Sequence, residues 1–205
     1  MIRVLIVDDH IVVRLGLRTL IQSQPDMQVA GDAASGDDAV ALVEKLKPDL
    51  IIMDLRMPGC GGVEAVKRIR GVQPSARVLF LSSFGSEEEV YQALHAGALG
   101  YILKDTASEE LLNAIRRVYA GGTWIPPGLA ALYADRENRP ELTQREKQIL
   151  QCVFQGLTNK EIGHELSVAE NTVKNHINNL MYKLGAKDRT HATHVALVRG
   201  LLRVE

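Results

Sequence analysis

Leu50-Ile51-Ile52-Met53-Asp54-Leu55-Arg56-Met57-Pro58-Gly59 places four apolar residues in a row, ends them in a carboxylate and follows them with a Pro-Gly turn. A short apolar run closed by turn residues is the pattern of a strand buried on both faces, so the stretch carries one acid, Asp54, out of the core to a loop. Three other runs have the same form: Ile2 to Val7 ends at Asp8-Asp9, Val78 to Leu81 ends at Ser82, and Gly100 to Leu103 ends at Lys104. Acids, a hydroxyl and an amine thus stand at carboxyl ends of strands, where open α/β sheets bind ligands. Clustered carboxylates suit an oxygen-preferring divalent cation such as Mg²⁺. The set is suited to handling phosphate.

Between these runs lie amphipathic stretches. Val12 to Ser23 is helical, with Val13, Leu17, Leu20 and Ile21 on one face; a weak strand follows at Met27 to Ala30. Helices are then expected from Asp37 to Leu46, stopped by Pro48, from Val63 to Ile69, from Glu87 to Ala96, and from Ser108 to Ala120. Ser108 serves as the N-cap of the last, with Glu109 and Glu110 in its first turn. Alternation of this kind implies βαβ units and a parallel sheet. Glu87-Glu88-Glu89 reads as a solvated helix start, and the six histidines show no metal-ligand spacing. Thr123 to Arg139, with Pro126-Pro127-Gly128, reads as a linker containing a helical turn or two.

From Leu142 the pattern changes to helices alone. Thr143 with Glu146 three residues on has the spacing of a capping box. A short helix from Lys160 to Leu166, a turn at Ser167-Val168-Ala169 and a longer helix from about Glu170 to Leu184 make a helix-turn-helix. On the longer helix Val173, Ile177, Leu180 and Leu184 form the core stripe, while Asn171, Asn175, Asn178 and Tyr182 lie opposite, flanked by Lys174 and Lys183. Asparagine is a mediocre helix former, and reading base edges is a reason to keep Asn175, Asn178 and Asn179 together there.

Both halves resemble known families. Asp8-Asp9, Asp54-Leu-Arg-Met-Pro-Gly, Ser82 and Gly100-Tyr101-Ile-Leu-Lys104 resemble the phosphorylation site of a two-component response-regulator receiver over roughly the first 120 residues. One departure is Gly61, where receivers often carry a polar helix cap, which implies a looser start to the next helix. Leu142-Thr143-Gln-Arg145-Glu146, Gly156-Leu157-Thr158-Asn159-Lys160-Glu161-Ile162 and Thr172-Val173-Lys174-Asn175-His176 resemble the LuxR-type helix-turn-helix of NarL/FixJ regulators.

The resemblance implies a flavodoxin-like (CheY-like) α/β receiver with a five-stranded parallel sheet over residues 1–121, a linker over 122–140 and a small all-α helix-turn-helix domain over 141–205. It implies phosphorylation of Asp54 by a sensor histidine kinase, with Mg²⁺ held by Asp9, Asp54 and the Arg56 backbone carbonyl and Asp8 acting through a water. Lys104 pairs with the phosphoryl group, Ser82 donates to it, and Tyr101 rotates inward behind Ser82 as the switch. Thr172, Lys174, Asn175, Asn178, Asn179, Tyr182 and Lys183 are the DNA-contacting candidates, and the last helix, about Asp188 to Leu201, joins two protomers. The implied partners are the kinase, double-stranded promoter DNA, a second copy of the chain and RNA polymerase.

Composition agrees without deciding. The chain is 46% hydrophobic, and the apolar run at its start is too short for a signal-peptide core, so a cytoplasmic protein without a membrane segment is expected. Residues 1–140 hold 15 Lys/Arg against 18 Asp/Glu, net −3, and residues 141–205 hold 9 against 7, net +2, a mild asymmetry in the direction of the motifs. Cys60 and Cys152 lack metal-ligand spacing and read as plain thiols. Rival readings use less of the chain. A phosphorelay carrier leaves Leu142 to Leu202 idle, a small-molecule phosphatase needs an acid where Arg56 stands, and the acids of the crevice would repel an FMN phosphate without a metal. No enzymatic activity beyond the receiver's own phosphorylation and dephosphorylation is expected.

Overall fold

The computed structural model describes residues 1–83, 85–137 and 139–202; Asn138 of the expected linker and the last three residues of the expected second domain lie outside them. Two compact units are present, one comprising residues 1–85 with 89–133 and the other 86–88 with 134–205.

As far as α5 strands and helices alternate along the chain: β1 (Ile2–Val7), α1 (Ile11–Gln22), β2 (Met27–Ala33), α2 (Gly36–Leu46), β3 (Leu50–Asp54), α3 (Gly62–Val72), β4 (Val78–Ser82), α4 (Glu87–His95), β5 (Gly100–Leu103) and α5 (Ser108–Tyr119), after which comes α6 (Pro127–Glu137). The sheet is parallel throughout, in the order β2-β1-β3-β4-β5. Strand alternation sorts the core into two layers. Leu5, Val7, Ile51, Met53, Val78 and Phe80 face α2, α3 and α4 through Val43, Val66, Ile69 and Val90. Val4, Ile6, Leu50, Ile52, Leu79 and Leu81 face α1 and α5 through Leu17, Ile21, Leu111, Ile115 and Val118. With both faces covered, the central strands read as continuous apolar runs, which is why they stood out in the sequence.

Local departures from the sequence reading have local causes. β2 runs on to Ala33 because it pairs along the whole of β1, with a register shift between Val4 and Leu5. Ser108 is the first residue of α5 and Ala107 holds the cap position, with no side-chain cap. The segment after α5 is not a loose linker: Tyr101 donates its amide to the Trp124 carbonyl at 2.9 Å and Trp124 donates to Leu99 at 3.0 Å, so the chain returns along the free edge of β5. α6 has 11 residues rather than a turn or two, and its Leu129 is buried against the same layer as Phe80.

The second unit contains α7 (Gln144–Phe154), α8 (Asn159–Glu165), α9 (Glu170–Leu184) and α10 (Arg189–Val198). Thr143 and Glu146 form the expected capping box, and Thr158 with Glu161 forms a second at the start of α8. Gly185, at φ 67°, ends α9 in the left-handed region that favours glycine. Ile149, Leu150, Val153, Ile162, Val173, Ile177, Leu180, Leu184 and Ala196 make the core. Among the described residues no helix is long and apolar enough to cross a membrane.

Gly61 and Gly62, where the Asp54 loop enters α3, respond oppositely to a side chain. Gly61 is the uncapped N-cap, at φ −66° and ψ 163°, and a Cβ there meets nothing closer than 3.8 Å. A Cβ on Gly62 would overlap the main-chain oxygen of Asp54. Gly61→Ser is expected to stabilise the receiver by about 0.5–1 kcal/mol, through a new cap and a less flexible unfolded chain. Gly62→Ala is expected to destabilise it by about 1–3 kcal/mol. Calorimetric midpoints of the two variants check this; equal shifts would contradict the geometry.

Candidate functional sites

The strand order reverses between β1 and β3, and the crevice beyond the carboxyl ends of these neighbours is the topological switch point. Asp8 leaves β1 and Asp54 ends β3, both almost wholly buried at 1% and 4% exposure. Lys104, just past β5, reaches between them: its Nζ lies 2.6 Å from Asp8 Oδ2 and 3.2 Å from Asp54 Oδ2. The Lys104 amide donates to the Ser82 carbonyl at 2.8 Å, fixing where the side chain starts. Ser82 itself is buried at the end of β4. Sequence-distant Asp8, Asp9, Asp54, Ser82 and Lys104 are therefore gathered on one edge of the sheet by the parallel topology alone.

The electrostatics are unbalanced. Burial pushes the Asp54 carboxyl above its ordinary range and the Asp8 carboxylate adds to the rise, while Lys104 and the Arg56 amide oppose it without cancelling it. Burial also works against the Lys104 ammonium, but its bond to Asp8 and the charges of both acids hold its pKa above the ordinary lysine value. Asp8, Asp9 and Asp54 cluster here while the Lys104 ammonium reaches only Asp8 and Asp54, which leaves the cluster rich in negative charge. One ligand atom from each of Asp8, Asp9, His10 and Asp54 lies within 4.8 Å of the others. Hard oxygen donors with uncompensated negative charge are the donor chemistry a divalent cation takes, so the residues present fit such an ion.

Two neighbours were not visible in the motif. His10 joins the acids, its Nδ1 2.9 Å from Asp9 Oδ1, although the histidines had shown no grouping; its place directly after Asp8-Asp9 was the available signal. Arg14, one turn into α1, donates to the Asp8 carbonyl at 2.7 Å and holds that backbone from below. A third concerns Glu89, which is not part of a solvated helix start: its side chain is 4% exposed and pairs with Arg56. Tyr101 also differs from expectation. Its side chain is already fully buried, packed 6.5 Å from the Phe80 ring and hydrogen-bonded to Ser82, and burial raises its pKa to about 12. No inward rotation is left for it to make in this conformation.

In the second unit α9 turns Asn171, Thr172, Lys174, Asn175, Asn178, Asn179 and Tyr182 to solvent, while Val173, Ile177, Leu180 and Leu184 are buried. Tyr182, an amphipathic side chain at 85% exposure, stands free of the core. Lys183 must be removed from the DNA-contacting set. Its ammonium lies 2.8 Å from the buried Glu146 carboxylate and donates to the Glu141 carbonyl at 2.9 Å, so it ties α9 to the start of α7. The helical wheel placed it at the margin of the polar face but could not show what stood beyond that margin. The last helix spans Arg189–Val198, within the expected Asp188 to Leu201, and Asp188 caps it through the His191 amide at 2.8 Å.

Residues 4–116 match the family model of the response regulator receiver domain, and residues 140–196 that of the luxR family of bacterial regulatory proteins. The chain is 42% identical over 200 residues to the transcriptional regulatory protein LiaR of Bacillus subtilis, covering 94% of this chain and 95% of that one. It is 40% identical over 207 residues to the response regulator protein VraR of Staphylococcus aureus, covering 98% and 99%. Among solved structures, the response regulator ChrA of a heme-sensing two-component system aligns with TM-score 0.57 at 33% identity over 98% of both chains. RcsB of Salmonella enterica serovar Typhimurium, bound to promoter P1flhDC, shares the fold at 23% identity with TM-score 0.73, covering 97% of this chain and 98% of that one. A receiver fold with an acidic switch-point crevice, followed by a helix-turn-helix, defines a signal-input domain wired to a DNA-reading output. The chain belongs to the DNA-binding two-component response regulators that carry a receiver and a LuxR-type helix-turn-helix.

The Glu146–Lys183 pair sets a pH dependence. Burial alone would raise the Glu146 pKa, but the bonds from Lys183 and Thr143 outweigh it and leave the carboxyl below its ordinary 4.5. A depressed carboxyl contributes stability that is present above 4.5 and lost as pH falls through the folded-state value. Glu146→Gln should therefore flatten the acid limb of the helix-turn-helix unfolding profile. Lys183→Met at neutral pH, leaving a buried carboxylate alone, should lower stability by about 3 kcal/mol. A Lys183→Met protein as stable as the parent at pH 7 would return this lysine to the DNA-contacting set.

Proposed function

We propose that Asp54 is the phosphoacceptor, that Mg²⁺ is the cation of the crevice, and that phosphorylation by a sensor histidine kinase controls dimerisation and promoter binding. The observation that carries this reading is the buried Asp8–Lys104–Asp54 arrangement, in which a nucleophilic carboxylate and its counter-ion face an acid-rich crevice. The kinship with LiaR and VraR, named as transcriptional and response regulators, supports it.

An Asp54 oxygen attacks phosphorus as the nitrogen–phosphorus bond of a phosphohistidine breaks, and the released imidazole takes up a proton. Asp9, Asp54 and the Arg56 backbone carbonyl would hold Mg²⁺, with Asp8 contributing through a water. When bound, the cation supplies positive charge against the phosphoryl oxygens. Lys104 moves its charge from the Asp54 carboxylate to the phosphoryl group, and the Ser82 hydroxyl donates to it. Phosphorylation adds about −1.5 to −2 charge at pH 7. Ser82 is hydrogen-bonded to Tyr101, so drawing Ser82 toward the phosphoryl group disturbs the buried ring beneath the face of α4, β5 and α5. That face is the element that changes shape on activation.

On DNA, Thr172, Lys174, Asn175, Asn178, Asn179 and Tyr182 form the contacting face of α9, with asparagines matched to adenine edges and Lys174 to guanine or phosphate. One such helix reads few base pairs, so two protomers are needed on half-sites roughly 34–36 Å apart, joined through α10. RNA polymerase is then a neighbour at the promoter, and the protein works in the cytoplasm without catalysing a reaction on other molecules.

Acetyl phosphate with Mg²⁺ should label the parent and an Asp105→Asn control but not Asp54→Asn; undiminished labelling of the Asp54 variant would sink the assignment. Mg²⁺ at ten times its Kd should stabilise the receiver by about 1.4 kcal/mol. Asp9→Asn should reduce that gain while raising metal-free stability, because it removes one of the competing negative charges; an unchanged Mg²⁺ response would count against the ligand set. With beryllofluoride the protein should shift toward dimer in sedimentation. Lys174→Ala and Asn178→Ala should each weaken binding to an inverted-repeat site by about 1–3 kcal/mol if they touch bases, without altering Asp54 labelling.

A further inference from the structure

Arg56 stands two residues after Asp54 and serves two places at once. Its amide donates to the Asp54 carboxylate. Its guanidinium turns away to α4, where Nε and Nη2 lie 2.7 and 2.6 Å from Oε1 of Glu89. Glu89 is the buried member of this pair at 4% exposure, against 37% for the arginine side chain. The buried Tyr101 hydroxyl feels the charges of Glu89, Arg56 and Asp54.

We propose that Arg56 is a further phosphoryl-contacting residue, held in reserve by Glu89, whose guanidinium exchanges the Glu89 carboxylate for oxygens of the phosphoryl group on Asp54. The proposal rests on the reading of Asp54 as phosphoacceptor. The exchange is favoured by charge and by geometry. A phosphoryl group brings about −1.5 to −2 charge and three acceptor oxygens, where Glu89 offers a single charge, and a planar guanidinium bonds two phosphoryl oxygens in parallel. The anchor of the side chain is already in place, since the Arg56 backbone touches the carboxylate that is modified. The exchange also explains how a phosphoryl group reaches α4. Glu89 gives up the Arg56 guanidinium inside a packed face, and losing a charge partner at a buried carboxylate is destabilising, so the exchange alters the packing of α4.

The test is a double-mutant cycle on the full-length protein, with beryllofluoride and Mg²⁺ as the probe and ¹⁹F NMR of the bound species giving the Kd. Glu89→Gln removes the competitor and is expected to tighten beryllofluoride binding about threefold. Arg56→Met removes a charged donor and is expected to weaken it about tenfold. In the Arg56→Met background, Glu89→Gln is expected to have no effect. Should Arg56→Met fail to fold, Arg56→Lys takes its place: one ammonium reaches fewer oxygens and should give an affinity between the two. A Glu89→Gln protein that binds as the parent does, or that tightens equally without Arg56, overturns the exchange. A parent protein that takes up no beryllofluoride overturns the phosphoacceptor reading itself, and the exchange with it.

Discussion

One ammonium group lies between two carboxylates at the ends of neighbouring strands, and the receiver is arranged to keep it there. Asp8 and Asp54 are held side by side by the β1–β3 pairing, and both are too buried for water to separate their charges. Lys104, arriving from β5 two strands away from β3, brings the positive charge that opposes the rise in the Asp54 pKa. Even with Lys104 in place, burial and then the neighbouring Asp8 carboxylate keep the Asp54 pKa raised. The crevice thus folds with a standing demand for a cation. Structure elsewhere compensates for this, through a sheet packed on both faces and a loop pinned by Gly62 and by the Arg14 bond to the Asp8 carbonyl. Departures from full charge and hydrogen-bond satisfaction are expected where function resides.

The second unit solves the opposite problem. Its buried Glu146 is satisfied by Lys183, by the Thr143 amide and by its own place in a capping box. Among the described residues of that unit no buried side-chain polar atom lacks a hydrogen-bond partner. Its α9 covers an inner stripe of Val173, Ile177, Leu180 and Leu184 and turns a face rich in asparagine to solvent. Chemistry in the first unit depends on what is buried, and recognition in the second on what is displayed.

This difference explains what could be read from the chain beforehand. The strands delivering Asp8, Asp54, Ser82 and Lys104 were legible because burial on both faces leaves uninterrupted apolar runs, and each run ends at its polar residue. The core stripe of α9 was legible because its period is that of one helix. Contacts between elements were not. Arg56 with Glu89, and Lys183 with Glu146, are 33 and 37 residues apart, and no periodicity within one element reveals a partner on another. The Glu87-Glu88-Glu89 run shows the limit well: charge alone reads as solvated, yet all three side chains are buried and Glu89 meets the Arg56 guanidinium. Tyr101 is similar, since a sequence names the residue but not the rotamer it occupies.

The return of the chain along β5 bears on where the molecule can be divided. The backbone of Leu99 and Tyr101 is paired with Trp124, and Leu129 of α6 fills a place in the interior beside Gly85. Receivers are commonly thought of as ending with their fifth helix, and a fragment cut after Gly121 would respect that convention. Such a fragment would carry an open strand edge at Tyr101, together with an apolar hollow where Leu129 belongs, the combination that invites edge-to-edge association. The severable joint of this protein lies beyond Tyr133, and the stretch that looks like tether in the sequence is the outer wall of the signalling domain.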